Sequence, residues 1–228
     1  MKKLISSAAV CSIAMCMLAS CGSKDSGDKS EKKAKAVDIS GKWAMENTGN
    51  ETVENGGIIF SEDGKGSIYA DSSKIMYFTD DGLSVGMGNN MTVLSNEYFK
   101  QDGKTLTVDI MGNELLVITK LDDTEGYDGH YSLDGGTLYD GIIQGMSKDG
   151  EEEVPENVDI TLDFDGTHSE VVFNDLFTYQ AKGNKLTLSG YSGLMGMDEK
   201  EGTAEFKLDG DTLTITSSTK TETLTRVK

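Results

Sequence analysis

Past residue 40, apolar and polar positions alternate with a period of two. Leu106, Val108 and Ile110 alternate with Thr105, Thr107 and Asp109. Ile160, Leu162 and Phe164 alternate with Thr161 and Asp163, and Leu213 and Ile215 with Thr212, Thr214 and Thr216. This period sends successive side chains to opposite faces, so each segment predicts a strand with one buried and one wet face. Turn signals separate the segments: Asp63-Gly64, Asp81-Gly82, Asp102-Gly103, Gly112-Asn113, Asp134-Gly135, Asp149-Gly150, Asp165-Gly166, Gly183-Asn184 and Asp209-Gly210. Asp-Gly and Gly-Asn supply the positive φ angles that tight hairpins need. The single proline, Pro155, sits in an acidic loop over 151–157, outside any strand core. No segment past residue 36 sustains a 3.6-residue period. The pattern predicts an all-β, antiparallel, hairpin-rich protein.

The pattern also occurs twice. Gly41-Lys42-Trp43 opens one half and Gly129-His130-Tyr131 opens the other, 88 positions later. Each opener leads to an apolar strand and a turn: Ile58-Ile59-Phe60 before Asp63-Gly64, and Ile160 to Phe164 before Asp165-Gly166. An aromatic strand, a polar turn and a Leu-Thr strand follow in both. They are Tyr98-Phe99-Lys100 with Thr105-Leu106-Thr107, and Phe177-Thr178-Tyr179 with Leu186-Thr187-Leu188. The halves close comparably, with Leu116 to Lys120 and Leu224 to Arg226. At about eight to ten residues per strand and turn, each half supplies roughly eight strands, enough to close a small barrel. The expected organisation is two tandem barrels, 37–124 and 125–228. The 192 residues from Val37 to Lys228 also suit one larger barrel.

Gly41-Lys42-Trp43 resembles the Gly-x-Trp opening of lipocalins. The segment Phe206 to Lys228, with Leu208-Asp209-Gly210-Asp211-Thr212-Leu213-Thr214-Ile215 and Leu224-Thr225-Arg226, is similar to the small lipocalin-like domains of bacterial lipoproteins. The resemblance implies that a basic residue near the last strand packs on the opening aromatic and shuts the barrel base. Carried over by position onto two barrels, Lys120 covers Trp43, and Arg226, the only arginine, covers Tyr131. In one larger barrel, Trp43 faces Arg226 directly. Cation–π contact makes such pairs physically reasonable. The second half departs from the family pattern by using Tyr131 for tryptophan.

The first 36 residues break the strand pattern. Lys2 and Lys3 precede a mostly apolar run, Leu4 to Leu18, too short for a comfortable membrane-spanning helix. Leu18-Ala19-Ser20-Cys21 resembles the lipobox of bacterial lipoproteins. That resemblance implies a signal peptide over 1–20 and a multiply acylated Cys21, holding the protein on the extracytoplasmic face of the cell membrane. Residues 21–36 read as a flexible tether: polar, lysine-rich, and unable to bury enough apolar surface to fold. Cys11 and Cys16 fall within the signal peptide, so no free thiol follows. A disulfide framework, a thiolate metal site and a cysteine nucleophile are thereby excluded.

The chain carries a formal net charge of −18. From Val37 onward it holds 36 of the 39 acidic residues and 14 of the 21 basic ones, a net of −22. Such a body repels nucleic acid and anionic lipid head groups, so nucleic acid is not expected as a partner.

No chemistry-bearing constellation is legible. His130 and His168 have no ligand-spaced partner. Asp163-Phe164-Asp165-Gly166 and Asp209-Gly210-Asp211 lack the spaced oxygen ligands and closing glutamate of a calcium loop. Gly190-Tyr191-Ser192-Gly193 lacks the spacing of a nucleophile elbow. No catalytic residue, metal or cofactor is expected. One element recurs: Gly82 to Met87, Gly141 to Met146, and Gly193 to Met197. Glycine gives backbone freedom and methionine adaptable apolar surface. Such segments suit a mobile lip over a barrel mouth, with Met87, Met146, Met195 and Met197 as ligand contacts; alternatively, these methionines fill the core. The leading expectation is a non-enzymatic, lipid-anchored, lipocalin-like module holding a small hydrophobic ligand. The alternative is a structural or interaction module, without a cavity, that meets another envelope protein. An envelope-polymer hydrolase is the third reading and has no supporting residues.

Overall fold

The computed structural model describes residues 35–45, 55–146, 158–190, 201–217 and 221–228. The first strands are β1 (Gly41–Met45), β2 (Gly56–Phe60) and β3 (Lys65–Asp71). Next come β4 (Met76–Thr79), β5 (Gly82–Met87) and β6 (Asn90–Ser95). A 3-10 turn over Asn96–Tyr98 leads into β7 (Phe99–Asp102), β8 (Thr105–Ile110) and β9 (Asn113–Lys120). β10 (Gly129–Gly135) and helix α1 (Thr137–Met146) precede β11 (Ile160–Asp165) and β12 (His168–Lys182). The remaining strands are β13 (Lys185–Gly190), β14 (Glu201–Asp209), β15 (Thr212–Thr216) and β16 (Thr221–Arg226). All described strand pairs are antiparallel.

The period of two does what it predicts. Leu106 and Val108 in β8, Ile160, Leu162 and Phe164 in β11, and Leu213 and Ile215 in β15 are all buried. The Asp-Gly and Gly-Asn signals fall between consecutive strands, with two exceptions. Asp134-Gly135 marks a register shift at the end of β10. Asp149-Gly150 lies outside the described residues.

Strands β12, β13, β14, β15, β16, β1, β2 and β3 pair in that order, and β3 returns to β12. The circuit is a closed eight-stranded antiparallel barrel. From β12 the sheet continues outward through β11, β10, β9, β8 and β7. A small sheet, β4-β5-β6, packs onto this extension through Phe78, whose ring lies 4.8 Å from Phe164 and 6.0 Å from Phe99. The barrel draws β1–β3 from one half of the repeat and β12–β16 from the other.

β12 serves both parts because it changes partner midway. His168 to Phe173 lies between β3 and β11, and Phe177 to Lys182 pairs with β13. The change occurs at a register shift against β3 between Phe173 and Phe177. Asp175, inside the shift, has φ 52°. Its backbone N–H donates to Ser67 Oγ at 3.1 Å, and its carboxylate accepts from Lys65 Nζ at 2.5 Å. Asn174 N–H donates to the Asp159 carbonyl at 2.8 Å.

Barrel and extension share one continuous apolar core. Trp43, Phe60, Leu186, Leu213 and Leu224 are among its largest fully buried side chains. An eight-stranded barrel is just wide enough to be filled this way.

The expectation that no segment past residue 36 carries a helical period does not hold: Thr137–Met146 is a ten-residue α-helix, and its Met146 lies in the core, as the alternative reading of the methionines had it. Leu138, Ile142 and Met146 recur at four-residue spacing, and Ile142 and Met146 are buried where α1 packs on β9 and β10. The tether also ends earlier than the sequence suggests. Ala36 bridges to Lys182, and Gly183 N–H donates to the Lys35 carbonyl at 2.9 Å. The chain therefore joins the barrel at the end that carries the β2–β3, β12–β13 and β14–β15 turns. Residues 1–34, including the signal-peptide and lipobox segments with Cys21, lie outside the described residues. No described helix is long and apolar enough to cross a membrane.

Candidate functional site

The two opening motifs build the same local device. Gly41 has φ 126° and Gly129 has φ 128°, a region open to glycine and strained for other residues. In each case a basic side chain lies close to where a Cβ would project: Arg226 at Gly41, and at Gly129 Lys120 beside the still nearer Asp122 carboxylate. The aromatic residue two positions on is buried beneath that base. Arg226 sits 4.2 Å over the Trp43 ring and Lys120 5.4 Å over Tyr131. The four closure residues are thus brought together in two pairs, but the partners are exchanged relative to the two-barrel expectation. Register causes the exchange: Trp43 is opposite Arg226 in β1–β16, and Tyr131 is opposite Lys120 in β9–β10.

The Trp43 end of the barrel is sealed. Trp43 is 0% exposed, and its Nε1–H donates to the Ile39 carbonyl at 2.9 Å. Arg226 donates to the Ser40 carbonyl at 2.6 Å, and Val227 N–H to the Lys42 carbonyl at 2.9 Å. No room for a ligand remains between the guanidinium and the indole.

The Tyr131 device, on the extension rather than the barrel, is open. A cleft of about 240 Å³ lies there, lined by the β7–β8 turn, the end of β9 and the 121–127 loop. Leu106, Tyr127 and Tyr131 give it an apolar side, and Lys104, Lys120, Asp122 and Asp123 a charged one. Lys120 Nζ donates to the Gly126 carbonyl at 3.0 Å. Lys104 Nζ donates to the Asp122 carbonyl at 3.1 Å and to Asp123 Oδ1 at 2.7 Å. Asp122 accepts from the backbone N–H of His130 at 2.8 Å and of Thr124 at 3.1 Å. These bonds, that from His130 first and with Lys120 nearby, hold its carboxyl below the usual carboxylate range. Tyr131 O–H donates to the Tyr127 carbonyl at 3.0 Å. Burial, with the charges of Asp122 and Asp128, pushes the Tyr131 phenol up to about 12. Tyr127 fixes the loop, stacking on Phe78 at 4.9 Å and donating to Asn96 Oδ1 at 3.3 Å.

Met87 and Met146 do not form a site together. Met146 is in the core, Met87 is exposed at the end of β5, and neither lines the cleft. Met195 and Met197 lie outside the described residues. Sequence reading missed the cleft itself, although it selected Lys120 and Tyr131 as a base and an aromatic. Its missed members, Lys104 and Tyr127, sit beside turn signals and give no pattern of their own.

A serine–histidine–aspartate grouping does exist elsewhere. Ser73 Oγ lies 3.1 Å from His168 Nδ1, and Asp71 Oδ1 lies 3.9 Å from the same nitrogen. A nucleophile triad needs hydroxyl and carboxylate on opposite ring nitrogens. Here both face Nδ1, and Ser73 Oγ also accepts from Ser169 N–H at 2.9 Å. With the buried Ser72–Ser169 contact at 2.8 Å, the grouping ties the β3–β4 turn to β12. Among the described residues no three His, Cys, Asp or Glu side chains cluster in a way that would hold a metal. Comparisons with protein-family models, with curated proteins and with solved structures find no match for this chain.

Proposed function

We propose that the protein is a lipid-anchored, extracytoplasmic binding module, not an enzyme, and that its ligand site is the Lys120–Tyr131 cleft rather than a barrel interior. One observation carries the reading: the closure device occurs twice, sealed over Trp43 and open over Tyr131. Lipocalin-like barrels supply the comparison, and the lipobox resemblance supplies the location. The cleft is smaller than the roughly 300–1,000 Å³ of drug-sized ligand pockets. It suits a small molecule rather than a long acyl chain. Leu106, Tyr127 and Tyr131 favour an apolar or planar face on that molecule. Lys104 and Lys120 balance Asp122 and Asp123, so an acidic group is not repelled there as it is over the rest of the acidic body.

The test is native mass spectrometry of the protein purified gently from producing cells. A stoichiometric added mass, released on denaturation, is expected. Losing a charge-assisted hydrogen bond costs about 1.5–3 kcal/mol, so Lys120→Ala should weaken retention by about tenfold or more. A bare mass that stays bare against metabolite extracts sinks the binding reading. The filled barrel would then serve an interaction module of the cell envelope, the alternative function.

A further inference from the structure

We infer that two copies of this chain associate edge to edge through β6. Among the described residues β6 pairs only with β5, so none of them pairs with the other side of its backbone, and four of its six residues are exposed. Met87 pairs with Asn90 across the two-residue turn Gly88-Asn89. In a hairpin of that length the flanking pair is hydrogen-bonded, and bonded and non-bonded pairs then alternate. Asn90, Thr92 and Leu94 thus point their backbone groups at β5. Met91, Val93 and Ser95 point theirs outward.

Natural sheet edges are usually blunted by charge, proline or a bulge. β7, the terminal edge of the large sheet, carries Lys100 and Asp102, and β4, the other terminal strand of the small sheet, is uncharged but has Met76 and Phe78 buried. β6 carries none of these devices. No residue from Gly82 to Ser95 is charged or proline, and the β5–β6 register runs without a shift. Val93 is 50% exposed and Met87 39%.

The occupant follows from charge and symmetry. Two bodies of net −22 repel wherever their carboxylates meet, and an uncharged hairpin is where they can approach. A cationic partner finds no counter-charge on this segment. An antiparallel pair of β6 strands about a two-fold axis requires outward-facing residues opposite one another. Val93 opposite Val93 of the second copy, with Met91 opposite Ser95, meets that requirement. The contact is isologous, so it consumes the edge in both copies and closes at a dimer.

The register gives a direct test on the full chain in detergent, with Cys11→Ser, Cys16→Ser and Cys21→Ser removing every native thiol. Cα atoms of a hydrogen-bonded antiparallel pair lie about 5.5 Å apart, within disulfide reach. Under mild oxidation Val93→Cys should therefore form a covalent dimer about tenfold or more faster than Met111→Cys, because thiols held in one complex meet at high effective concentration. Met111, 92% exposed on the β8–β9 turn, is the collisional control. Sedimentation equilibrium should show a dimer for the parent chain and a monomer for Val93→Lys, with unchanged circular dichroism. Equal cross-linking of the two cysteine variants, a parent monomer at every concentration, or an unaltered Val93→Lys dimer would overturn the inference. So would Val93→Cys, in a chain that keeps Cys21, capturing a different protein when cross-linked in membranes. None of these readouts depends on occupancy of the Lys120–Tyr131 cleft.

Discussion

At the residue scale, one arginine and the only tryptophan hold the barrel end shut. Arg226 contributes a cation–π contact and a hydrogen bond to Ser40 across the seam between β16 and β1. Such contacts are worth about 1–2 kcal/mol when desolvated. Arg226→Ala should lower the unfolding free energy by about that amount. It should also shift Trp43 emission to the red in the folded state, since the indole gains water. Arg226→Lys should restore part of the stability, and an unshifted emission maximum in Arg226→Ala would separate Arg226 from the seal. Buried tyrosines give the molecule an alkaline limit, Tyr69 and Tyr131 most strongly, with burial pushing Tyr179 up as well. Burial, with the charge of Glu170, pushes Tyr69 up to about 12, and burial does the same for Tyr131. In the unfolded chain both ionise near 10.0. The folded state therefore keeps protons that the unfolded state sheds. Its stability is intact below pH 10 and declines as pH rises from 10 toward about 12. Denaturant midpoints measured across that window should fall, and Tyr69→Phe with Tyr131→Phe should flatten the fall.

At the element scale, the decisive piece is β12, a 15-residue strand that belongs to two assemblies. Its fork depends on Asp175 in the left-handed region, where a non-glycine residue is strained. Asp175→Gly relieves the strain and removes an ion pair with Lys65 in which both side chains are about half exposed. Exposed pairs contribute little, so this variant should stay within about 1 kcal/mol of the parent in chemical denaturation. Asp175→Val, β-branched, should cost about 1–3 kcal/mol. The fork was not legible in the sequence. Asn174 and Asp175 interrupt an otherwise strand-like run, and nothing in the residues says that the neighbour changes there. Strand existence was legible because Leu106, Ile160 and Leu213 each mark a two-residue period. Helix α1 was hidden by Gly141 and Gly145, each costing about 1 kcal/mol in helix propensity. Packing of Ile142 and Met146 on β9 and β10 outweighs that cost. The closure residues were legible by type, and their partners were not, since periodicity says which face a residue takes and never which strand lies opposite.

At the scale of the whole molecule, the repeat is expressed in local geometry while the barrel is assembled across it. Gly41 and Gly129 share one backbone angle, yet Trp43 is covered from β16 and Tyr131 from β9. The cleft lies on the extension beyond β12, and the β6 edge on the small sheet packed against that extension, so both lie outside the eight barrel strands. The pairing of β1 with β16 has a kinetic consequence. Chains made of distant pairings fold slowly, because closure entropy must be met before the contacts form. A chain emerging from its N-terminus presents β1 long before β16 exists. Through that interval Trp43 has no cover, and one flank of β1 is a bare template for wrong pairing. Barrel closure is thus a post-synthetic event. The nascent chain therefore spends its whole elongation with the barrel unclosed, and its stability against wrong pairing is set by how fast β16 reaches β1 once synthesis ends.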